Sequence, residues 1–267
     1  MKLRDVMRPG TYTIADTDGL GAAYAMMTRS RIRHLPVMRA DRIVGILSER
    51  DVLAARARAG GRAWTLIPVV EAMQGPVQTA GPDDSLTEAA GRMAVSKIGA
   101  LPVVEQGRLL GIATVSDVLA AEVRDAMMPR RPSLTAADAM TPYPFAVRPE
   151  TLLVDAVAIM VDHHVRHLPV VDEHSTISGI LSDRDVRSAI GDPSAYAEAR
   201  SPTPVQLRVR DVMTRSAAYV PFDAPLVEIA KRFADDRIGA MPVTDKFGAL
   251  IGMISYVDVL RALVAAD

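Results

Sequence analysis

The sequence predicts an α/β protein (α+β repeats) made of four β-α-β-β-α units that pair into two modules. Three observations carry this prediction: a recurring Leu-Pro-Val tripeptide, a methionine at a fixed distance before it, and a Gly-x-x-Ser/Thr-x-x-Asp pattern after it. Internal repeats decide a whole architecture, so they are the first signal to weigh.

Each copy of the unit is marked by a methionine and a proline that lie 29 positions apart. The prolines belong to Leu-Pro-Val at 35–37, 101–103 and 168–170, and to Met-Pro-Val at 241–243. The methionines are Met7, Met73, Met140 and Met213. Four equal spacings predict one supersecondary unit that is repeated four times.

The segment between the methionine and the proline predicts a helix. Apolar residues recur there at i, i+3 and i+7, which is typical of a helix with one buried face. In copy one these residues are Leu20, Ala23 and Met27. In the other copies they are Leu86, Ala89 and Met93, then Leu153, Ala156 and Met160, then Leu226, Ile229 and Phe233.

Two strands and a second helix are predicted to follow. Polar segments at 39–42, 105–108, 172–175 and 245–248 separate two apolar runs, as a hairpin turn does. The second run contains a glycine, at Gly45, Gly111, Gly179 and Gly252. A hydroxyl residue follows three positions later, at Ser48, Thr114, Ser182 and Ser255, and an acid six positions later, at Asp51, Asp117, Asp185 and Asp258. Each Ser/Thr-x-x-Asp predicts a helix start.

The copies are predicted to pair in the order odd-even, odd-even. The odd copies share Arg-His-Leu-Pro-Val at 33–37 and 166–170, whereas the even copies carry Ile-Gly-Ala at 98–100 and 238–240. A unit of about 55 residues is small for independent stability, so copies should pack in pairs. The predicted modules are 1–125, with repeats at about 3–58 and 69–122, and 134–267, with repeats at about 136–191 and 209–264. Linkers are predicted at 58–67, 123–135 and 192–208.

Composition excludes several classes of function. The 31 basic and 32 acidic residues give a net charge of −1 without a basic stripe, so nucleic-acid binding is not expected. The absence of cysteine excludes disulfides, thiolate metal sites and cysteine nucleophiles, and it is compatible with the cytoplasm. The N-terminus lacks a signal-peptide core, and no run approaches the roughly 20 apolar residues of a membrane span. A cytoplasmic protein without membrane association is therefore expected.

The Ser/Thr-x-x-Asp motif has two interpretations. It can be a capping box, in which a hydroxyl and an acid satisfy the first N–H groups of a helix. A capping box prefers Glu or Gln at its third position, and aspartate is expected to reach back less well, which favours a ligand-binding role. A helix N-terminus attracts phosphate, and a neighbouring hydroxyl can add a hydrogen bond.

Basic residues lie near the motifs of the odd copies and are candidate phosphate ligands. They are Arg33, His34, Arg50, Arg166, His167 and Arg184. The alternative is that the arginines are solvated helix-end charges and the histidines partly buried strand residues. His163 and His167 are spaced i, i+4, but no third ligand accompanies them, so no metal site is expected.

With these motifs at this spacing in all four copies, the chain resembles tandem CBS domains, named after cystathionine beta-synthase. The resemblance implies two Bateman modules, each with two clefts that bind AMP, ADP or ATP, or else NAD or S-adenosylmethionine. It implies that the ribose hydroxyls bind Asp51, Asp117, Asp185 and Asp258. It also implies that Ser48, Thr114, Ser182, Ser255 and the six basic residues above face the phosphates. The arginine and histidine stand in the opposite order from some relatives, which leaves open which of them reaches a ligand.

The resulting interpretation is a non-catalytic sensor that needs no cofactor and signals an adenosine-type ligand to an unknown protein partner. The two modules are expected to form a homodimer or an intramolecular disc. The sequence holds no nucleophile-base pair, phosphate loop or catalytic carboxylate pair, so an enzyme is not expected. The alternative is a scaffold or oligomerisation protein whose ligand clefts are vestigial.

Overall fold

The computed structural model describes residues 1–59, 62–126, 134–190, 207–236 and 238–265. The predicted linker at 192–208 lies outside the described residues except for its last two. In the described part, every copy contains the predicted order of a long helix, a two-stranded antiparallel hairpin and a second helix. No helix of the described residues is long and apolar enough to cross a membrane.

Copies one and two have closely similar elements. Copy one contains β1 (Arg8–Pro9), β2 (Ile14–Ala15), α1 (Leu20–Ser30), β3 (His34–Arg39), β4 (Arg42–Ser48) and α2 (Glu49–Arg58). Copy two contains α3 (Leu86–Ser96), β5 (Ala100–Glu105), β6 (Arg108–Thr114) and α4 (Val115–Ala126). Helix α4 therefore continues into the region that was predicted to be a linker from residue 123.

Copies three and four repeat this order. Copy three contains α5 (Ala136–Ala139), β7 (Thr141–Pro142), α6 (Leu153–Asp162), β8 (His167–Val171), β9 (Ile177–Ser182) and α7 (Asp183–Ile190). Copy four contains α8 (Val209–Val212), β10 (Thr214–Arg215), β11 (Val220–Pro221), α9 (Leu226–Asp236), β12 (Ala240–Thr244), β13 (Leu250–Ser255) and α10 (Tyr256–Ala265).

The predicted helix faces are confirmed as core. Leu20, Ala23 and Met27 are buried, and so are the corresponding residues of α3, α6 and α9. In copy one they pack with Leu35, Val37 and Leu47 of the hairpin and with Val52 of α2. The apolar stripe of the long helix therefore faces the sheet, as its periodicity predicts.

The first strand of each copy differs from its prediction because its two halves pair with different sheets. The second half runs parallel to the copy's own central strand, as β2 does along β3 and β11 along β12. The first half pairs antiparallel with the hairpin of the neighbouring copy: β1 with β6, β10 with β9, and β7 with β13. Gln74 pairs in the same way with Ile46 of β4. Each copy thus exchanges its leading segment with the other member of its pair.

The exchange explains the recurring methionine and glycine. A side chain on Gly45 would meet Met73 Sδ at 2.6 Å and the Gln74 carbonyl oxygen at 2.9 Å. A side chain on Gly179 would meet the Thr214 carbonyl oxygen at 2.5 Å. The glycine leaves the space that the partner's methionine and its following peptide occupy, so no larger residue fits there.

The chain divides into two compact units. The first contains Met1–Ala89, Ile98–Thr114 and Ile190, and so the sheets of copies one and two. The second contains Ala90–Lys97, Val115–Ala189 and the described chain from residue 207, and so copies three and four together with the end of α3 and the helix α4 of copy two. Within this second unit, α4 packs against α9 and α10.

Candidate functional site

The start of α2 carries the first of the predicted ligand-binding acids. Ser48 is the N-cap residue, and the Asp51 N–H donates to its hydroxyl oxygen at 3.3 Å. Asp51 Oδ2 accepts from the Ser48 backbone N–H at 2.8 Å and from the Ser48 hydroxyl at 2.5 Å. The motif is therefore a complete capping box, with one carboxylate oxygen committed to it.

The same arrangement occurs at the starts of α7 and α10. Asp185 Oδ2 accepts from the Ser182 N–H at 2.9 Å and from its hydroxyl at 2.5 Å. Asp258 Oδ2 accepts from the Ser255 N–H at 2.9 Å and from its hydroxyl at 2.6 Å. Asp117 lies in the first turn of α4, three residues after the β6 residue Thr114. All four acids are half-buried.

The expectation that aspartate reaches back less well in the capping box is wrong. In three copies the carboxylate reaches the N-cap N–H at ordinary hydrogen-bond distances. Capping thus explains one oxygen of each acid. It does not use Oδ1, which retains its acceptor capacity for a second partner.

Much of the hydrogen-bonding capacity at these helix starts is already used. The first N–H of α2, from Glu49, donates to the Arg33 carbonyl at 2.9 Å, and that of α7, from Asp183, donates to the Arg166 carbonyl at 2.9 Å. The Asp51 and Asp185 N–H groups donate to the N-cap serines. The single hydroxyl proton of each serine goes to the aspartate. A phosphate here would therefore depend on side-chain cations more than on the serines or on the helix end.

The basic residues take different positions around the motif. Arg50 and Arg184 are exposed second residues of α2 and α7, Arg166 is exposed, and Arg33 is half-buried before β3. His34 and His167 are the first residues of β3 and β8, and both are half-buried. The histidines are thus half-buried strand residues and three of the four arginines are exposed, as in the alternative interpretation, and the contact of these residues with a phosphate stays a prediction.

His34 is neutral at physiological pH. Burial lowers the pKa of His34 to about 4, the nearby Asp51 carboxylate acts to raise it, and Arg33 and Arg50 act to lower it. A neutral imidazole brings no positive charge to a phosphate. Any cationic contribution in copy one must then come from Arg33 and Arg50.

Each of these histidines lies against a glycine of the neighbouring copy. A side chain on Gly99 would meet His34 Cε1 at 3.0 Å and Nε2 at 3.1 Å. A side chain on Gly239 would meet His167 Nε2 at 2.9 Å and Cε1 at 3.0 Å. The odd-copy histidine and the even-copy glycine therefore form one packing contact, which the sequence showed only as two unrelated patterns.

A further position near the acids was missed in the sequence. The residue after each recurring methionine lies opposite the same position of the partner hairpin: Arg8 opposite Ile112, Gln74 opposite Ile46, Thr141 opposite Met253 and Thr214 opposite Ile180. The facing strand residue is two positions before the N-cap. The Gln74 side-chain amide donates to Asp51 Oδ1 at 3.1 Å. The fixed offset from the methionine was the available signal.

Other features of the described residues do not form a site. No three His, Asp or Glu side chains of the described chain come together as metal ligands, and His163 instead stacks on Phe145 with ring centroids 3.9 Å apart. A cavity of about 340 Å³ at the start of α9 is lined by residues that include Asp223, Glu228 and Arg232. None of the predicted site residues lines it.

A family model described as CBS domain matches residues 3–58, 69–124, 136–192 and 209–265. Protein MJ1225 of Methanocaldococcus jannaschii is 26 % identical over 277 residues, which cover 93 % of this chain and 94 % of that protein. Its crystal structure, described as that of a candidate archaeal homolog of g-AMPK, matches with a TM-score of 0.78 and 23 % identity over 98 % of this chain and 99 % of that one.

Two further relatives match only part of this chain. The CBS-pair protein CBSX2 of Arabidopsis thaliana has been crystallised in complex with AMP. That complex is 29 % identical, with a TM-score of 0.42, and covers 49 % of this chain and 96 % of that one. Inosine-5'-monophosphate dehydrogenase of Korarchaeum cryptofilum is 32 % identical over 159 residues, which cover 60 % of this chain but 30 % of the enzyme.

Proposed function

Because the chain belongs to the CBS domain family, we propose that it is a non-catalytic regulatory protein that binds an adenosine-type nucleotide in clefts between paired copies. The main supporting observation is that the helix-start aspartate uses one carboxylate oxygen in its capping box, while the second carboxylate oxygen takes no part in that box. An adenosine ligand brings two neighbouring ribose hydroxyls, which are hydrogen-bond donors. A carboxylate oxygen has two lone pairs, so Oδ1 alone can accept from both hydroxyls.

The capping box prepares the acid for this role. The Ser48 N–H and hydroxyl fix the carboxylate of Asp51, so a ribose would meet an acceptor whose rotamer is already set. Pre-organisation of this kind lowers the entropy cost of binding. The phosphates would extend toward Arg33 and Arg50 in copy one and toward Arg166 and Arg184 in copy three, where guanidinium groups suit phosphate oxygens.

The modules of the proposed sensor are the pairs 1–125 and 134–267. The exchange of leading segments supports this pairing, because β1 and Gln74 join the first two copies and β7 and β10 join the last two. A ligand that bridges two copies would change how they pack. That change would be passed to a partner chain or to a second copy of this protein.

The enzyme relatives do not change the proposal. The inosine-5'-monophosphate dehydrogenase match spans 30 % of that enzyme. The four CBS segments occupy most of this chain. The proposed role of this chain is therefore regulation and not catalysis.

A thermal-shift panel of AMP, ADP, ATP, NAD and S-adenosylmethionine tests the proposal. At a ligand concentration 100 times the dissociation constant, binding should stabilise the protein by about 2.7 kcal/mol, or about 5 to 10 °C. Replacement of Asp51, Asp185 and Asp258 together by asparagine keeps an oxygen for the cap but removes the charged acceptor. The triple variant should fold and should keep only about 0.4 to 1.4 kcal/mol of this stabilisation, because affinity falls about tenfold to a hundredfold per cleft.

Two results would count against the proposal. No shift with any of the five compounds would favour the scaffold alternative with vestigial clefts. An equal shift in wild type and in the triple variant would place the ligand somewhere other than at these acids.

A further inference from the structure

We propose that Gln74 acts as an internal competitor for the ligand at Asp51, so that nucleotide binds first at Asp185 and Asp258. This inference rests on the proposed function, since it ranks the clefts that the function assumes. It makes the residue after the recurring methionine a specificity-determining position.

The clefts of Asp51, Asp185 and Asp258 share one frame. In each, the segment after a methionine of the neighbouring copy pairs with the strand that leads into the capping box. Gln74 lies opposite Ile46, Thr214 opposite Ile180 and Thr141 opposite Met253. The facing residue is two positions before Ser48, Ser182 or Ser255. Gln74, Thr214 and Thr141 therefore occupy equivalent backbone positions relative to the acid, and their side chains differ in chemistry.

In the Asp51 cleft, both carboxylate oxygens have partners. Oδ2 accepts the two capping bonds from Ser48, and Oδ1 accepts from the Gln74 amide at 3.1 Å. The Gln74 backbone is fixed by reciprocal bonds with Ile46 of 2.9 Å and 3.0 Å. A ribose hydroxyl must displace or share this amide before it can use Oδ1. The displaced amide then has to be solvated again.

In the other two clefts, the same place holds threonine. The hydroxyl oxygen of threonine is attached to Cβ, whereas the amide nitrogen of glutamine is attached to Cδ, two carbons farther from the backbone. Among the described residues, the hydrogen bonds of Asp185 and Asp258 are those of the capping box, and all of their carboxylate bonds go to Oδ2. A ribose there meets an acceptor for which no side chain of the described residues competes.

The expected difference in affinity is modest and measurable. A hydrogen bond that has to be exchanged for an equivalent one typically changes an equilibrium by about threefold to tenfold. Gln74 is exposed, so water screens its bond and the lower part of that range is expected.

The experiment is a set of calorimetric titrations of the full chain with AMP and with S-adenosylmethionine, which share the ribose. In a background with Asp117→Asn, Asp185→Asn and Asp258→Asn, which keeps Asp51 as the one predicted ribose-binding acid, Gln74→Thr should raise the remaining affinity about threefold to tenfold. Adding Asp51→Asn should abolish that gain. The reciprocal change Thr214→Gln, in the otherwise unaltered chain, should lower the affinity at the Asp185 cleft by a similar factor. Circular dichroism and the melting temperature of each variant establish that it is folded.

Each outcome of these titrations supports or overturns the inference about Gln74. Reduced or unchanged affinity in Gln74→Thr, with binding still present, overturns the inference and leaves the proposed function standing. The inference also fails if Asp51→Asn alone removes the tightest site while Asp185→Asn has no effect. Absence of binding to the wild-type chain overturns the proposed function and the inference with it. A gain that persists when Asp51 is replaced would show that Gln74 acts elsewhere.

Discussion

At the scale of single residues, the helix-start aspartates combine a structural and a proposed binding role on one side chain. Oδ2 of Asp51, Asp185 and Asp258 closes the capping box, which is worth about 1 kcal/mol to a helix. Oδ1 carries the proposed ligand contact. An alanine at these positions would lose both roles, so loss of binding in such a variant could reflect a frayed helix. Asparagine separates the two roles because it retains a capping oxygen.

The lowered pKa of the half-buried His34 predicts a pH dependence of stability. His34 has a folded pKa of about 4, below its unfolded value of about 6.5, so the unfolded chain binds the proton more readily. Its contribution to stability is complete above about pH 6.5 and is lost as the pH falls toward 4. The free energy of unfolding should decrease by up to about 1.4 kcal/mol per pH unit in this window. Urea unfolding at pH 7.0, 6.0 and 5.0 measures the slope.

The matched control is His34→Gln, which removes the titrating group and keeps a polar side chain of similar reach. Its free energy of unfolding should vary less between pH 6.5 and 5. Hydrogen bonds hold the carboxyl pKa values of Asp83, Asp138 and Asp172 below the usual range. Protonation of these carboxyls therefore changes the free energy of unfolding at a lower pH than this window. An identical slope in wild type and variant would mean that His34 does not govern this window.

At the scale of elements, the contact between the odd-copy histidine and the even-copy glycine predicts a coupled pair of substitutions. A side chain on Gly239 would lie 2.9 Å from His167 Nε2, closer than van der Waals contact allows. Gly239→Ala should therefore lower the free energy of unfolding by about 1 to 2 kcal/mol, as overpacking does. His167→Ala in the same chain should recover part of that loss, because the crowded ring is gone. A double-mutant cycle from urea unfolding measures the coupling. Strictly additive effects would show that the two residues do not constrain each other.

Local patterns predicted the elements well and the exchange between copies poorly. The apolar stripe of α1 and the polar turn after β3 are signals that lie within a few residues of each other, and both are confirmed. The halves of the first strand are two residues long, which is too short for an alternating pattern to reveal their partners. Gln74 was missed for the same reason, since its contact with Asp51 depends on a pairing between distant segments.

At the scale of the whole molecule, the exchange of leading segments means that sequence repeats and packing units have different boundaries. Val69 and Ala72 begin copy two in sequence, yet they belong to the buried core around α1, β3 and β4 of copy one. The leading segment of a copy thus cannot be removed or weakened without an effect on its neighbour. Stability within a pair is shared, which is what a ligand bound between the two copies would need in order to influence both.

The shared core predicts which copy is destabilised by a core substitution. Val69 is fully buried, so Val69→Ala should cost about 1.5 to 2.5 kcal/mol, from the lost methyl groups and the cavity that they leave. Amide hydrogen exchange should then accelerate first in β3 and β4 of copy one. The strands β5 and β6 should respond less, although Val69 belongs to copy two in sequence. Val103→Ala is the matched control, because Val103 is equally buried but lies in β5. It should accelerate exchange in β5 and β6. If both variants loosen β5 and β6 while β3 and β4 keep their protection, the leading segment of copy two does not stabilise copy one, and the pairing of Gln74 with Ile46 would not hold the copies together.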